Sequence, residues 1–256
     1  MPANASTDWT CYSVAGHSCD LFTPTTISEP ERIILYFHDL QEQSPKDLPA
    51  LCQAFESAGL RVLAPRIGRT WCLQQQLNRF DNTMSSEEYI LGPILDECRR
   101  ITGVTSGGIG LLGYEMGGQA ALRLAYRHPD KFPIAAAIAP AIDFHIGMRH
   151  GHDWADGELF DTLWEIFDDP EQARQETAIL HVHPLNWPRH QWLVSSSNDV
   201  RWHDGAVRLS SKLIALGIPH TAILDENTHE DMVSDFVDDA ITFIIKSLDA
   251  EARRVT

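Results

Sequence analysis

The residues Gly113-Tyr114-Glu115-Met116-Gly117 join a short apolar run, Gly108 to Leu112, to a small-residue stretch with helical spacing, Gly117 to Tyr126. The glycine-bounded turn between them has a steric reading. The residue at its centre is held in a strained backbone conformation that projects its side chain into a site. The flanking glycines let strand and helix approach closely. The next backbone N–H, that of Met116, points at the place where an oxyanion would develop. A serine at position 115 would make this a G-x-S-x-G nucleophile turn; this chain carries glutamate there.

Two further residues follow in the order such a site requires. Asp199, in Ser197-Asn198-Asp199, comes just after the predicted strand Gln191 to Val194. His229, in Asn227-Thr228-His229-Glu230-Asp231, comes just after the predicted strand Thr221 to Leu224. At C-terminal strand ends both side chains reach the turn, and the carboxylate of Asp199 orients the imidazole through one ring nitrogen. Glu115, Asp199 and His229 are therefore the candidate catalytic residues. Met116, His38, Asp39, Leu40, Tyr114 and Trp202 are the candidates for the oxyanion donors and the pocket wall.

The elements that must position these residues are legible as periodicity. Thr10 to Val14 and Cys19 to Phe22 flank Ala15-Gly16 and read as a hairpin. Arg32 to Phe37 is an apolar, β-forming run suited to a strand buried on both faces. Leu48 to Ala58 has helical spacing and stops at Gly59, and Arg61 to Ala64 is another strand. A helix starts at Ser85-Ser86-Glu87-Glu88 and runs to Arg99-Arg100, with Pro93 in its first turns. Ile134 to Ile138 is a strand, and helices follow at about Gly205 to Leu216 and Asp231 to Leu248. This alternation predicts a mostly parallel, doubly wound α/β sheet in one domain over residues 1–256. The stretch from Asp143 to His190 breaks it and reads as an insertion over the C-terminal strand edge, where open α/β sheets bind ligands.

With these residues in hand, the chain resembles the α/β-hydrolases of the esterase D or "putative esterase" branch, which includes S-formylglutathione hydrolases and bacterial feruloyl and acetyl esterases. The turn and helix Leu112 to Pro129, the run Ala137 to Asp143, the segment Ser197 to Leu216 and His229 carry the resemblance, which spans Trp9 to Leu248. It implies an α/β-hydrolase fold and carboxyl-ester hydrolysis. It also implies a serine nucleophile at 115, Asp199 as orienting acid and His229 as base. A homodimer is common on this fold. Glu115 departs from the family pattern, and so does Asp39, where such esterases often carry His-Gly and a glycine tolerates unusual backbone angles.

Three roles are open to Glu115. As a nucleophile it would resemble the aspartate of dehalogenases and epoxide hydrolases of this fold, with an added methylene. As a general base it would activate a water. As an inactivating group it would pair with His229 and leave a pocket for a small ester or acyl ligand, or a partner protein, with no nucleophile. A carboxylate brought to an oxyanion site opposes acyl transfer.

The net charge of −16 argues against nucleic-acid and anionic-membrane partners, which need clustered Lys and Arg. The five cysteines are scattered with no C-x-x-C pair, reading as reduced thiols. The N-terminus has no basic and apolar signal pattern and no apolar run reaches membrane-spanning length, so the expected location is cytoplasmic. The chemistry calls for no cofactor. His145, His150, His152 and the pair His181 and His183 match no strong zinc spacing and read as loop or pocket histidines. Arg66, Arg69 and Trp71 follow a strand end and either line the pocket or pair with the many acids.

Overall fold

The computed structural model describes residues 8–104, 106–225 and 231–255. β1 (Asp8–Val14) and β2 (His17–Thr23) form the N-terminal hairpin. Its turn residues Ala15 and Gly16 have φ of 47° and 89°, the left-handed geometry that matches strand twist in two-residue turns. β3 (Ile33–Phe37) follows, then α1 (Pro49–Ala58), which ends on left-handed Gly59, then β4 (Arg61–Pro65). β5 (Ile109–Tyr114), α4 (Met116–Arg127) and β6 (Ile134–Ile138) form the next unit.

The segment between β4 and β5 departs from the single helix that periodicity suggests. α2 (Ser86–Tyr89) opens on a capping box between Ser85 and Glu88. It widens into a π-helical turn over Ile90–Ile94 before α3 (Leu95–Thr102). Pro93 lies inside that turn; its missing N–H and its ring would break an ordinary α-turn, and the wider turn accommodates both.

The insertion contains α5 (His145–His150), α6 (Asp161–Ile166) and α7 (Pro170–Gln175), joined by short 3-10 turns and without a named strand. Asp169 caps α7, accepting from the N–H groups of Glu171 and Gln172. β7 (His190–Ser196), α8 (His203–Ala215), β8 (Thr221–Asp225) and α9 (Met232–Val255) complete the order.

The eight strands lie in the order β1-β2-β4-β3-β5-β6-β7-β8, parallel from β4 to β8 with the hairpin antiparallel at one edge. The chain therefore leaves β3 in one direction, toward β4, and returns across it to β5. The crevice at the C-terminal ends of β3 and β5 is the switch point, where open α/β sheets place their ligands.

Alternation along the strands sorts the core into two layers. Ile33, Leu35, Leu111 and Leu193 pack with Ile90, Leu124 and Leu209 on one face. Ile34, Tyr36, Leu112 and Val194 pack with Phe55 of α1 and Phe236 and Ile244 of α9 on the other. A third apolar cluster covers the strand ends, where Phe144, Met148, Phe160, Leu163 and Phe167 of the insertion meet Leu40, Trp71, Met116 and Trp202.

At the centre of one charged cluster lies a buried ion pair. Arg123 of α4 and Glu87 of α2 form an ion pair, Nη1 to Oε2 at 2.5 Å, and their side chains are 0% and 1% exposed. Arg123 also donates to the Cys72 carbonyl at 3.1 Å and to the Glu176 carbonyl at 3.1 Å, and pairs with the Glu176 carboxylate. His128 Nε2 and Arg127 Nε meet Glu87 Oε1 at 2.9 and 3.1 Å. This cluster ties the helix behind the glycine-bounded turn to the far end of the insertion.

Both glycines of that turn are sterically required. A Cβ on Gly117 would stand 2.1 Å from the Phe37 carbonyl oxygen, and one on Gly113 would stand 2.0 Å from the Gly117 oxygen. These contacts are backbone on backbone and have nowhere to yield. Gly117→Ala is expected to destabilise the chain by about 1–3 kcal/mol in urea unfolding, against no change for a substitution on an open helix face.

Candidate active site

Glu115 sits between the last residue of β5 and the first of α4 with φ 52° and ψ −110°, a region that a non-glycine residue occupies only when its surroundings hold it there. Its N–H donates to the Ile138 carbonyl at 3.0 Å. Its carbonyl accepts from Gln119 and Ala141, both at 3.0 Å. The backbone geometry expected of a nucleophile turn is thus present, and it presents a glutamate side chain that is 11% exposed.

The carboxylate is fully engaged. Oε2 accepts from the backbone N–H of Leu40 at 3.3 Å. Oε1 accepts from the Trp202 indole Nε1 at 3.1 Å and from Arg201 Nη2 at 3.2 Å. Leu40, a candidate for the oxyanion donors or the pocket wall, lies in the loop after β3, and its N–H is satisfied by the protein's own carboxylate. Burial pushes the Glu115 carboxyl above its ordinary range, against the Trp202 hydrogen bond and the Arg201 charge, which pull it down.

Asp39 does not distort this loop. It has no positive φ, its Oδ1 accepts from the Gln43 N–H at 2.9 Å, and its carbonyl accepts from His38 Nδ1 at 2.8 Å. The left-handed residue of the loop is Glu42, with φ 59°. The concern that a glycine is needed at position 39 is therefore answered by the turn falling three residues later. Arg69 donates to the Leu40 carbonyl at 3.0 Å and fixes the loop from the other side.

Arg201 is the residue that sequence reading missed. It bridges Glu115 to Asp156 of the insertion, with Nη1 2.8 Å from Asp156 Oδ2. Its guanidinium lies 5.7 Å from the ring centroids of both Trp154 and Trp202, within cation–π range. Its only sequence signal is its position between Asp199 and Trp202, two residues already singled out.

Asp199 lies on the same cavity as Glu115, a space of about 170 Å³ whose walls include Tyr114, Ser196, Arg201 and Met232. Its Oδ1 accepts from the N–H groups of Arg201 and Trp202 at 3.2 and 3.3 Å, shaping the entry to α8. Burial pushes its carboxyl up. His229 falls outside the described residues. The pairing with it that one of the three roles of Glu115 involves is thus not among the contacts described, and the partners that are described are Leu40, Arg201 and Trp202.

The other candidates separate. Tyr114 and Met116 flank Glu115, and Met116 is buried in the apolar cluster over the strand ends. Trp202 is a direct partner of the carboxylate rather than only a wall. His38 is buried but lines a different, much smaller space with Asp20 and Tyr36, so its ring does not join the Glu115 cavity. Arg66 pairs with Asp20 at 2.7 Å, and Trp71 stacks on Phe144 at 4.7 Å between centroids. His181 lies in a 3-10 turn, Ala178–His181. Among the described residues no three His, Cys, Asp or Glu side chains converge as a metal site.

Removing Arg201 has a pH-dependent consequence. Its loss lets burial push the Glu115 carboxyl further up. A carboxyl raised in the folded state contributes stability that is complete below its unfolded value and lost as pH rises through the folded one. Arg201→Leu is therefore expected to lower the melting temperature more at about pH 8 than at about pH 5, since an ionised Glu115 then keeps the Leu40 and Trp202 donors but no opposite charge. An equal loss at both pH values counts against this placement.

Residues 74–216 match the sequence model of the family described as Putative esterase. No protein of curated function matches the chain. Several solved structures resemble it over nearly its whole length. An S-formylglutathione hydrolase from Agrobacterium tumefaciens is 15% identical, with a TM-score of 0.70 and coverage of 94% of each chain. S-formylglutathione hydrolase FrmB from Staphylococcus aureus is 15% identical, with a TM-score of 0.68, covering 94% of this chain and 98% of its own. Mycobacterium tuberculosis MPT51 (FbpC1) is 13% identical, with a TM-score of 0.67, covering 93% of this chain and 100% of its own. At these identities the likeness establishes the α/β-hydrolase fold.

Proposed function

The chain belongs to the Putative esterase family, and from that premise we propose a carboxyl-ester hydrolase site, for a small ester or acyl molecule, held by Glu115 in a self-occupied state. One observation carries this: the carboxylate that replaces the nucleophile accepts the Leu40 N–H that a substrate oxyanion would need. A carbonyl substrate must displace that carboxylate, and the attacking hydroxyl is missing. Wild-type turnover of ordinary esters is accordingly poor. Asp199 and His229 remain as the acid and base of the inherited triad. The five free thiols support a cytoplasmic setting.

A second reading has its own observation. The cavity of about 170 Å³ beside Glu115 has room for several water-sized groups, and burial raises the carboxyl toward a range useful to a general base. There Glu115 would act on a water or attack directly.

A panel of activated acetyl esters and lactones, run on wild type and Glu115→Gln with mass spectrometry of the intact chain, separates the two. The self-occupied reading expects near-background wild-type turnover and no adduct. Robust wild-type turnover, abolished in Glu115→Gln and accompanied by a covalent adduct on residue 115, would establish carboxylate catalysis and overturn it.

A further inference from the structure

A second cavity, of about 490 Å³, opens between α5, α7, the 3-10 turn Ala178–His181 and α8, and shares no wall residue with the Glu115 cavity. Its charged walls are unusual in a chain of net charge −16: they include Arg149, Arg174, Arg208, His145 and His150, with Asp143 as the single acid. We propose that this cavity binds a small anion carrying two or more negative charges, held by Arg149, Arg174 and Arg208 with a hydrogen bond to His145.

The three guanidiniums are not equivalent. Arg208 is set against the carboxylate of Asp143, which is 4% exposed and fixes its direction. Arg174 is held by Glu171 through two hydrogen bonds of 2.8 and 2.6 Å. Arg149 forms no ion pair among the described residues. Each guanidinium carries five N–H donors, so the two paired ones keep donors for a ligand while their partners hold them in place. Lys212, one helical turn after Arg208, donates to the Ile179 carbonyl at 2.6 Å and steadies the turn on the cavity's far wall.

His145 is the second, independent sign. It is 8% exposed, and its Nδ1 is buried without a hydrogen-bond partner among the described residues. Buried polar atoms are nearly always satisfied, so this unmatched nitrogen, on a residue of the cavity wall, leaves one hydrogen bond to be supplied. Burial pushes the His145 imidazole down to about 4, with Arg149 and Arg174 adding to the depression and Glu171 opposing it. The ring is therefore neutral near pH 7 and carries one N–H, which an oxyanion accepts. The charges that depress it are the ones that would hold the ligand. Phosphoryl groups and clustered carboxylates share this chemistry, since both present several anionic oxygens to planar forks.

Calorimetric titration of the full chain with inorganic phosphate, citrate and acetate, at low and matched ionic strength, tests the proposal. Saturable binding of phosphate or citrate with Kd below about 1 mM is expected, and none for monovalent acetate. Phosphate alone assigns a phosphoryl ligand, and citrate alone a polycarboxylate. Arg149→Ser, an exposed change, is expected to weaken binding about tenfold, the scale of one lost charge-assisted hydrogen bond. His145→Leu is expected to weaken it as well, while Glu115→Ser leaves it unchanged and so separates this site from the Glu115 cavity. Absence of saturable binding by both polyanions overturns the proposal. So does binding that neither Arg149→Ser nor His145→Leu alters.

Discussion

Glu115→Ser is expected to raise hydrolysis of activated acetyl esters at least about 100-fold over wild type, the scale of one oxyanion donor regained. Two changes act together. The Leu40 N–H loses its internal acceptor and becomes free for a substrate oxyanion. A hydroxyl appears on a turn whose backbone already has the strained geometry of a nucleophile position, φ 52° and ψ −110°. Asp199 already lies on the same cavity. Glu115→Ala separates the contributions, because it frees the donor without supplying a hydroxyl. A double change, Glu115→Ser with His229→Ala, is expected to return the rate to background, since a serine without a base is a poor nucleophile. If Glu115→Ser is folded and no faster than Glu115→Ala, the inherited triad is not functional and the proposal for the site loses its basis.

Arg123→Met is expected to lower stability by about 3–5 kcal/mol, which for a chain of this size lowers the melting temperature by about 6–20 °C. The reason is the state of its partner. Glu87 is 1% exposed at its side chain, and without Arg123 it keeps only His128 and Arg127 at its other oxygen. The Glu176 and Cys72 carbonyls lose a donor at the same time. The same cluster sets a pH limit. His128 and the nearby arginines hold the Glu87 carboxyl below its ordinary range despite burial, and His181 with Arg123 holds Glu176 down to about 2. A lowered carboxyl contributes stability present above its unfolded value and lost as pH falls through the folded one, so this contribution fades below about pH 4. Thermal melts at neutral pH check the first point. Arg123→Met paired with Glu87→Met is expected to be less harmful than the single change, because no buried charge is then left alone; a double variant as damaged as the sum of the singles counts against it.

The fold was legible because its signals are local. The short apolar runs read at Arg32 to Phe37 and Ile134 to Ile138 are strands, and the first is buried on both faces as its unbroken hydrophobicity indicated. The capping pair Ser85 and Glu88 marks the helix start it was read to mark. The π-helical turn at Pro93 was not legible, because a proline in a periodic stretch signals either a break or an accommodation, and neighbours choose between them.

The sequence by itself determined the strand-turn-helix around Glu115, since glycines at 113 and 117 leave room for only one kind of turn. It also determined the order of Glu115, Asp199 and His229 along a doubly wound chain. Only the tertiary structure decided what the Glu115 carboxylate does. Its three donors are the Leu40 N–H in the loop after β3 and Arg201 and Trp202 in the loop after β7, with Arg201 also held by Asp156 of the insertion. Residues 40, 115, 156 and 201 have no periodic relation, so no pattern could join them. A buried carboxylate takes whatever donors the packed sheet ends bring within reach, and here these include the Leu40 N–H proposed above as the oxyanion donor.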